Sequence, residues 1–470
     1  MISNLKEIVG YDNNGVVYDG GDFILRKVSS SYSLTTKQII EIYKNFNLSK
    51  LGIVNTDILN SQNDFILKHE KHLISYPYEW SVNMFKDALL FHLTLFIELN
   101  KYNLTLKDAI PSNIIFDYQK PIFVDFMSLV TPKELINEKW LFKDKKIKLK
   151  DKRFIVFQEM FLPFILIPFV FMVRGNYSFA RRMLCYRACN VKDCVIPSWK
   201  DLKLYNFLKY FKFFYYTRFN RKTDFIFFCK RLLNFLEKLD VTPIKSNYDS
   251  YYSNKNEDFC FSEKSSWKNK QKNVYRILDL YKPKTVLDLG ANTGWFSVLA
   301  ARHGAKVIAT DVDESCIDLL YKYSKDTDLK ILSLFLPFSD LNKSVYGIND
   351  ASKALNSQKN PLFLAPIMRF KSDCVFCLAL VHHLVLGLGI SIKKVFKLLS
   401  LLTKKTLILE YVSLEDLMIK SEPDFFKNLN RNNLQSYNLD IFIKEGLLYF
   451  KDIEILDSHP DTRRLLIFTK

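Results

Sequence analysis

The stretch Thr285-Val286-Leu287-Asp288-Leu289-Gly290-Ala291-Asn292-Thr293-Gly294-Trp295-Phe296 constrains this chain more than any other. β-Favouring apolar residues run into an acid, then a glycine-bearing turn, then an amphipathic segment from Trp295 to His303. The order is strand, tight turn, helix. In open α/β sheets such a unit gathers ligands at the carboxyl end of the strand, where Asp288 stands. The turn is expected to present backbone N–H groups at a helix N-terminus. The next strand, Lys306-Val307-Ile308-Ala309-Thr310, ends on Asp311, 21 residues after Gly290. An acid there can accept hydrogen bonds from both hydroxyls of a ribose. Asp288, Gly290, Asn292, Gly294 and Asp311 therefore read as a nucleoside-cofactor site.

The glycine pattern selects among cofactors. A dinucleotide turn uses Gly-x-Gly-x-x-Gly, whose second glycine lets the backbone approach a pyrophosphate. Here Asn292 occupies that second position, and Asp288 would repel a pyrophosphate. A cationic amino-acid moiety would be attracted instead. S-adenosylmethionine (SAM) carries an ammonium, a sulfonium and a ribose, and suits the arrangement better than NAD or FAD; a ligand-free strand–turn–helix is the remaining alternative.

A chain of 470 residues exceeds one ordinary core, so two or three domains are expected. No basic leader followed by an apolar run opens it, which predicts a cytoplasmic protein with free thiols. The formal charge of +18 divides into +7 over residues 263–470 and +11 over the first 262. Basicity this evenly spread selects neither nucleic acid, nor membrane, nor an anionic substrate.

The first 240 residues read as a separate domain. Alternation over residues 7–28 predicts a small antiparallel hairpin or meander, and residues 34–46 have helical spacing. Leu73–Tyr78 reads as a strand, and Val82 to Leu99 as a long amphipathic helix. Leu106-Lys107-Asp108-Ala109-Ile110-Pro111-Ser112-Asn113 follows, and then the apolar run Pro121 to Val124 ending on Asp125-Phe126. In kinase-type phosphotransferases a catalytic-loop Asp, an Asn five positions on, and the Asp of a later Asp-Phe pair do base and metal work. Asp108, Asn113 and Asp125 fit that spacing, and Lys27 with Glu41 could imitate the Lys–Glu ion pair. No glycine-rich phosphate loop appears in residues 1–30, and Lys107 replaces the usual His, so a degenerate kinase-like domain is expected.

Three further features carry bland readings. Phe161 to Val173 is apolar but contains Pro163 and Pro168 and falls short of the ~20 residues of a spanning helix. Buried packing is expected, with peripheral membrane contact as the alternative. Aromatics interleave with Lys and Arg over residues 199–239, a pattern that a helical hairpin with buried rings explains better than nucleic-acid or lipid binding. Cys185, Cys189 and Cys194 lack a fourth ligand, and Cys374 and Cys377 lie on a predicted strand whose i and i+3 positions face opposite ways. No metal site is expected. Residues 241–262 are polar, tyrosine-rich and linker-like.

From residue 263 onward strands and helices alternate. Ile331–Leu336, Val375–Leu380 and Thr406–Tyr411 read as strands and Ile390–Leu402 as a helix, with Asp452–Leu456 and Arg464–Thr469 as an antiparallel closing pair. The expected fold is α/β: a Rossmann-like seven-stranded domain over 263–470, preceded by an α+β kinase-like domain with a helical extension over 1–240. The fourth strand runs into Ala379-Leu380-Val381-His382-His383-Leu384, where either His could take a proton from an acceptor hydroxyl or amine, or merely shape the pocket.

Residues 285–311, 373–384, 406–412 and 461–468, together with Ile74–Ser81 and Leu104–Phe116, resemble the SAM-dependent methyltransferases related to the rhizobial nodulation protein NoeA. The resemblance covers most of the chain. It implies a class I methyltransferase fold, SAM as methyl donor, bacterial origin, and a small-molecule or glycan-precursor acceptor. It implies that Asp288, Gly290, Asn292, Gly294 and Leu380 line the donor, that Asp311 holds the ribose, and that His382, His383 and Glu410 lie toward the acceptor. Such domains often place an Asp after the third strand to bind the adenine amino group. Pro337 stands there, and Phe338 or Asp340 is the expected substitute.

Overall fold

The computed structural model describes residues 5–8, 15–60, 65–138, 141, 151–185, 224–244, 264–344, 363–421 and 431–470. These form two compact units. One comprises the described residues up to Tyr78 and from Val82 to Thr242; the other comprises Glu79–Ser81 and the described residues of Pro243–Val345 and Phe363–Lys470.

The first unit opens with an antiparallel sheet of β1 (Lys6–Ile8), β2 (Gly15–Asp19), β3 (Phe23–Val28), β4 (Thr56–Asn60) and β5 (Phe65–Glu70), in the order β1-β2-β3-β5-β4. The β2–β3 turn closes because Gly20 N–H donates to Phe23 O at 2.9 Å and Gly21 adopts φ +87°. Helix α1 (Ser30–Asn45) follows β3. It buries Ile39, Ile40 and Tyr43 at helical spacing, and the Tyr43 hydroxyl donates to Val54 O at 3.0 Å. Helix α2 (Val82–Asn100) buries Met84, Phe85, Ala88, Leu89, Leu93, Phe96 and Leu99. Its Phe96 ring meets Phe225 of α3 (Phe225–Glu237) edge-on, 5.2 Å between centroids. Two small antiparallel pairs complete the unit: β6 (Thr105–Leu106) with β9 (Leu129–Val130), and β7 (Ile114–Asp117) with β8 (Lys120–Phe123). The strand expected over Leu73–Tyr78 does not form. β5 ends at Glu70, and Pro77, which lacks an N–H, opens a 3₁₀ turn.

Arg153–Val173 is helical, with a π-helical stretch around Pro163. By length and composition it is the one helix among the described residues that could cross a membrane, yet half of its most apolar window is buried within the protein. Phe154 packs edge-on against Phe225 at 5.1 Å, as expected of core packing. Cys189, Cys194, most of the basic aromatic segment and most of the linker lie outside the described residues.

In the second unit, α4 (Asn269–Tyr281) leads into β10 (Thr285–Leu289), α5 (Trp295–Arg302), β11 (Lys306–Asp311), α6 (Glu314–Thr327) and β12 (Ile331–Phe335). β13 (Ser372–Cys377), α7 (Ile392–Leu402), β14 (Thr403–Val412), α8 (Leu439–Leu447), β15 (Asp452–Asp457) and β16 (Arg463–Thr469) complete it. One seven-stranded sheet results, in the order β12-β11-β10-β13-β14-β16-β15. β10 to β14 are parallel, whereas β16 runs antiparallel to both β14 and β15. Every residue of β13 is buried, the pattern of a central strand covered on both faces. Because the sheet runs outward in both directions from β10 and β13, the carboxyl ends of these neighbours flank a crevice.

The unit also encloses Glu79–Ser81. Trp80 is fully buried, Glu79 pairs with Arg369 with both side chains sequestered, and the Ser81 hydroxyl donates to Asp318 Oδ1 at 2.7 Å.

Candidate active site

The β10–α5 turn needs left-handed backbone at three positions: φ is +72° at Gly290, +52° at Asn292 and +89° at Gly294. A Cβ on Gly290 would lie 3.2 Å from Leu380 Cδ1, so glycine here keeps the β10 and β13 ends close together. On Gly294 it would lie 2.4 Å from Leu320 Cδ1. Gly294 therefore serves the packing of α5 on α6 and does not line the cavity, a correction to the cofactor-lining role expected of it.

The donors of this turn are already engaged. Gly290 and Ala291 N–H donate to Thr310 O at 2.8 and 3.0 Å, and Asn292 N–H to Asp311 Oδ2 at 2.7 Å. Thr293 N–H donates to Asn292 Oδ1 at 2.6 Å and Gly294 N–H to Ala291 O at 2.9 Å. The expectation of exposed N–H groups is thus corrected: the neighbouring strand takes those of Gly290, Ala291 and Asn292, and the turn itself those of Thr293 and Gly294. The N–H groups of Gly290 to Gly294 therefore offer a pyrophosphate no cradle, and the charged groups lining the cavity at this end are acids.

Those acids are Asp288 and Asp311, with Asp313 beside them. Asp288 is buried and accepts the Ser297 hydroxyl at 2.6 Å through Oδ2. Burial pushes its carboxyl up to about 7, against the Ser297 hydrogen bond; the nearby Asp311 charge adds to the rise, and Lys270 opposes it. Asp311 is oriented by backbone: Oδ1 accepts Val312 and Asp313 N–H at 2.7 and 3.0 Å, while Oδ2 accepts Asn292. Burial raises its pKa too, opposed by these hydrogen bonds.

The two acids open onto a cavity of about 820 Å³ that crosses the carboxyl edge of the sheet. Beyond β11 its wall is Leu336, Pro337, Phe338 and Ser339. Of the two residues expected to substitute at the adenine position, Phe338 lines the cavity, whereas Asp340 is not part of that wall and is held by Lys343 at 2.6 Å. Leu380 and His383 both line the cavity, as expected.

His382 and Glu410 do not. His382 is wholly buried, its ring 4.1 Å from that of His383, and among the described residues neither of its ring nitrogens has a hydrogen-bond partner. Consecutive residues on a helical turn point about 100° apart, so one His of the pair faces inward. Burial lowers the His383 pKa, and Arg463 lowers it further. Glu410 is fully buried behind the cavity, paired with Lys270 Nζ at 2.7 Å and bonded by the Ser458 hydroxyl. Its role is to hold Lys270.

Residues that the local sequence did not single out complete the wall: Lys268, Lys270, Phe296, Met418, His459 and Arg463. Arg463 opens β16, which returns antiparallel beside β14, so its side chain reaches the carboxyl edge of the parallel strands. Asp416 grips it, accepting Nε at 2.8 Å and Nη2 at 3.1 Å.

In the first unit, Asp108, Asn113 and Asp125 surround the β7–β8 pair. Asn113 Nδ2 donates to Asp108 O at 3.0 Å, and Val124 N–H donates to Asn113 O at 2.9 Å. Asp125 is held by Arg26 of β3 at 3.2 Å. Glu41 is exposed, so the Lys27–Glu41 imitation of an ion pair is corrected to Arg26–Asp125. Lys107, at the position of the usual His, is buried against Glu138 at 3.1 Å.

No protein-family model matches the chain. It is similar to nodulation protein NoeA of Rhizobium meliloti (strain 1021), with 25% identity over 454 residues covering 90% of this chain and 89% of that protein. Among solved structures it is similar over 43% of its length to the bifunctional kinase-methyltransferase WbdD (19% identity, TM-score 0.27, 38% of that chain covered). It is also similar, over 43% of its length, to magnesium protoporphyrin IX methyltransferase of Synechocystis PCC 6803 with bound SAM (16% identity, TM-score 0.25, 79% of that chain). The PH0226 protein of Pyrococcus horikoshii OT3 matches over 45% of this chain and 93% of its own (16% identity, TM-score 0.29). The resemblance to NoeA, carried by motifs in both halves of the sequence, extends along nearly the whole chain.

Proposed function

We propose that the second unit is a SAM-dependent class I methyltransferase acting on a small-molecule or glycan-precursor acceptor, with an oxygen as the favoured methyl acceptor. The observation that carries the reading is the convergence of Asp288 and Asp311 on one cavity whose flanking turn offers no anion cradle. The lining residues fit SAM: Asp288 would face its cationic amino-acid portion, Asp311 its ribose hydroxyls, and Leu336, Pro337 and Phe338 the adenine. When bound, SAM supplies an electrophilic methyl group on a sulfonium.

The chain's own part is to orient and to exclude water. Gly290 and Leu380 close the space between the β10 and β13 ends, and alignment of two bound reactants supplies much of the acceleration in such a transfer. His383, held in its neutral form by burial and by Arg463, is the cavity residue able to accept the acceptor's proton. Calorimetry of SAM binding to the full chain and to Asp311→Ala tests the reading. A large loss of affinity is expected, and near-wild-type affinity would sink the ribose assignment.

Phosphotransfer by the first unit is the second reading, and the Arg26–Asp125 pair weighs against it, because a cation sits on the acid expected to hold a metal. It predicts magnesium-dependent ATP binding that Asp125→Ala abolishes.

A further inference from the structure

The cavity is electrically divided. Every carboxylate lining it, from Asp288, Asp311 and Asp313, lies at the ends of β10 and β11. Among the described residues, the part bounded by α4, the β13 end and the β15–β16 return is lined by cations, histidines, apolar groups and the uncharged Gln271, with no carboxylate: Lys268, Lys270, Arg463, His383 and His459, with Phe296, Leu384 and Met418 between them. Two of these cations have a buried carboxylate behind them, Glu410 behind Lys270 and Asp416 behind Arg463. Neither carboxylate reaches the cavity. Such backing fixes each cation in place and removes the cost of leaving it alone in a low-dielectric wall. Lys270 and Arg463 are each matched by one buried carboxylate, and Lys268, exposed at the start of α4, adds one formal positive charge to this half.

We propose that this half is the acceptor subsite and that it selects a monoanionic acceptor, a single carboxylate attached to an apolar body, anchored between Arg463 and Lys270. The proposal rests on the methyltransferase reading for the word acceptor, and on the charge layout alone for the anion. An amine acceptor would meet like charge on every side. A dianionic phosphate would leave one negative charge uncompensated among Phe296, Leu384 and Met418, which is unfavourable in a poorly hydrated site. Arg463 suits a carboxylate because its planar fork is already immobilised by Asp416, so little side-chain entropy is lost on contact.

The test uses the full chain, with and without S-adenosylhomocysteine. Ligand-observed NMR titrations measure the binding of benzoate, its neutral analogue benzamide, and inorganic phosphate. Benzoate is expected to bind at least roughly tenfold more tightly than either of the others, since each 1.4 kcal/mol is a factor of ten. The double variant Asp416→Asn/Arg463→Gln keeps a hydrogen-bonded, uncharged pair and so avoids a stranded buried charge; there the preference for benzoate should disappear. Equal binding of benzamide, tighter binding of phosphate, no benzoate binding, or an undiminished preference in the double variant would each overturn the proposal. Benzoate discrimination without any S-adenosylhomocysteine binding would leave the anion subsite standing and remove the donor reading instead.

Discussion

Asp288 converts the donor assignment into a proton measurement. Its carboxyl titrates at about 7 against an ordinary value of 3.8, chiefly because burial disfavours the charged form. A cationic ligand beside it restores the carboxylate, so binding must expel a proton wherever the free site holds one. If the bound site returns to near the ordinary value, the coupling is about three pKa units, or about 4 kcal/mol. Below pH 7 the apparent Kd should then weaken tenfold per pH unit, roughly fifteenfold between pH 7 and pH 5.5. This window lies below the α-amino titration near ~7.7–8.0, so the ligand's own ammonium stays charged throughout. Calorimetry of SAM binding in buffers of different ionisation enthalpy reads the proton count directly: about half a proton released at pH 7 and about one at pH 5.5. Asp288→Asn preserves an acceptor for the Ser297 hydroxyl and should abolish the release along with most of the affinity. The sign for stability is the reverse of an ordinary paired acid. The folded pKa is raised, so the folded state is favoured below about pH 4 and loses this contribution as pH rises through 7. Asp288→Asn should therefore melt higher than wild type at pH 8, with the advantage shrinking as pH falls below 7 and vanishing only below about pH 4. Buffer-independent heats and a flat Kd across pH 5.5–7 would refute the reasoning.

Four other outcomes follow. Arg369→Ala removes the buried cation that pairs with Glu79 and should cost about 3–5 kcal/mol in urea denaturation of the full chain; a loss below ~1 kcal/mol would show that the pair contributes no more than a surface ion pair. Gly294→Ala combines a φ of +89° with a Cβ 2.4 Å from Leu320, so a loss of about 1–3 kcal/mol is expected, and adding Leu320→Ala should not rescue it, because the backbone strain remains. His383→Ala should lower methyl-transfer turnover by about 10²–10⁴ while leaving SAM affinity within about twofold, measured by radiolabel transfer and calorimetry. Arg26→Ala frees Asp125, and a magnesium-dependent thermal shift with ATP that appears only in this variant would identify Arg26 as the block to nucleotide binding in the first unit.

What could be read from the sequence was what is encoded locally. Strand, acid, turn and helix over 285–302 are contiguous, and both Asp288 and Asp311 stand where that order placed them. The turn's N–H groups were misjudged because their acceptors, Thr310 O and Asp311 Oδ2, lie on the neighbouring strand, some 20 residues away. Glu410 looked like a site residue because strand-end acids usually are; only the fold shows Lys270 arriving from α4 to neutralise it. Nothing in the local sequence marks Arg463 or His459 as a site residue, since an antiparallel return brings them to the carboxyl edge of strands that run the other way. His382 and His383 differ by one position, and the helical turn that separates their fates is not legible in two identical letters.

Glu79–Ser81 has a consequence for how this protein could have been assembled and how it can be taken apart. A gene encoding residues 263–470 alone would lack the buried Trp80 and would take Glu79 from Arg369 and Ser81 from Asp318. Fission of the chain within 245–263 yields fragments that are not modules in the hereditary sense, because a tripeptide required by one is carried in the reading frame of the other. Recombination at that point should be purged, and the two halves of the polypeptide should be inherited together.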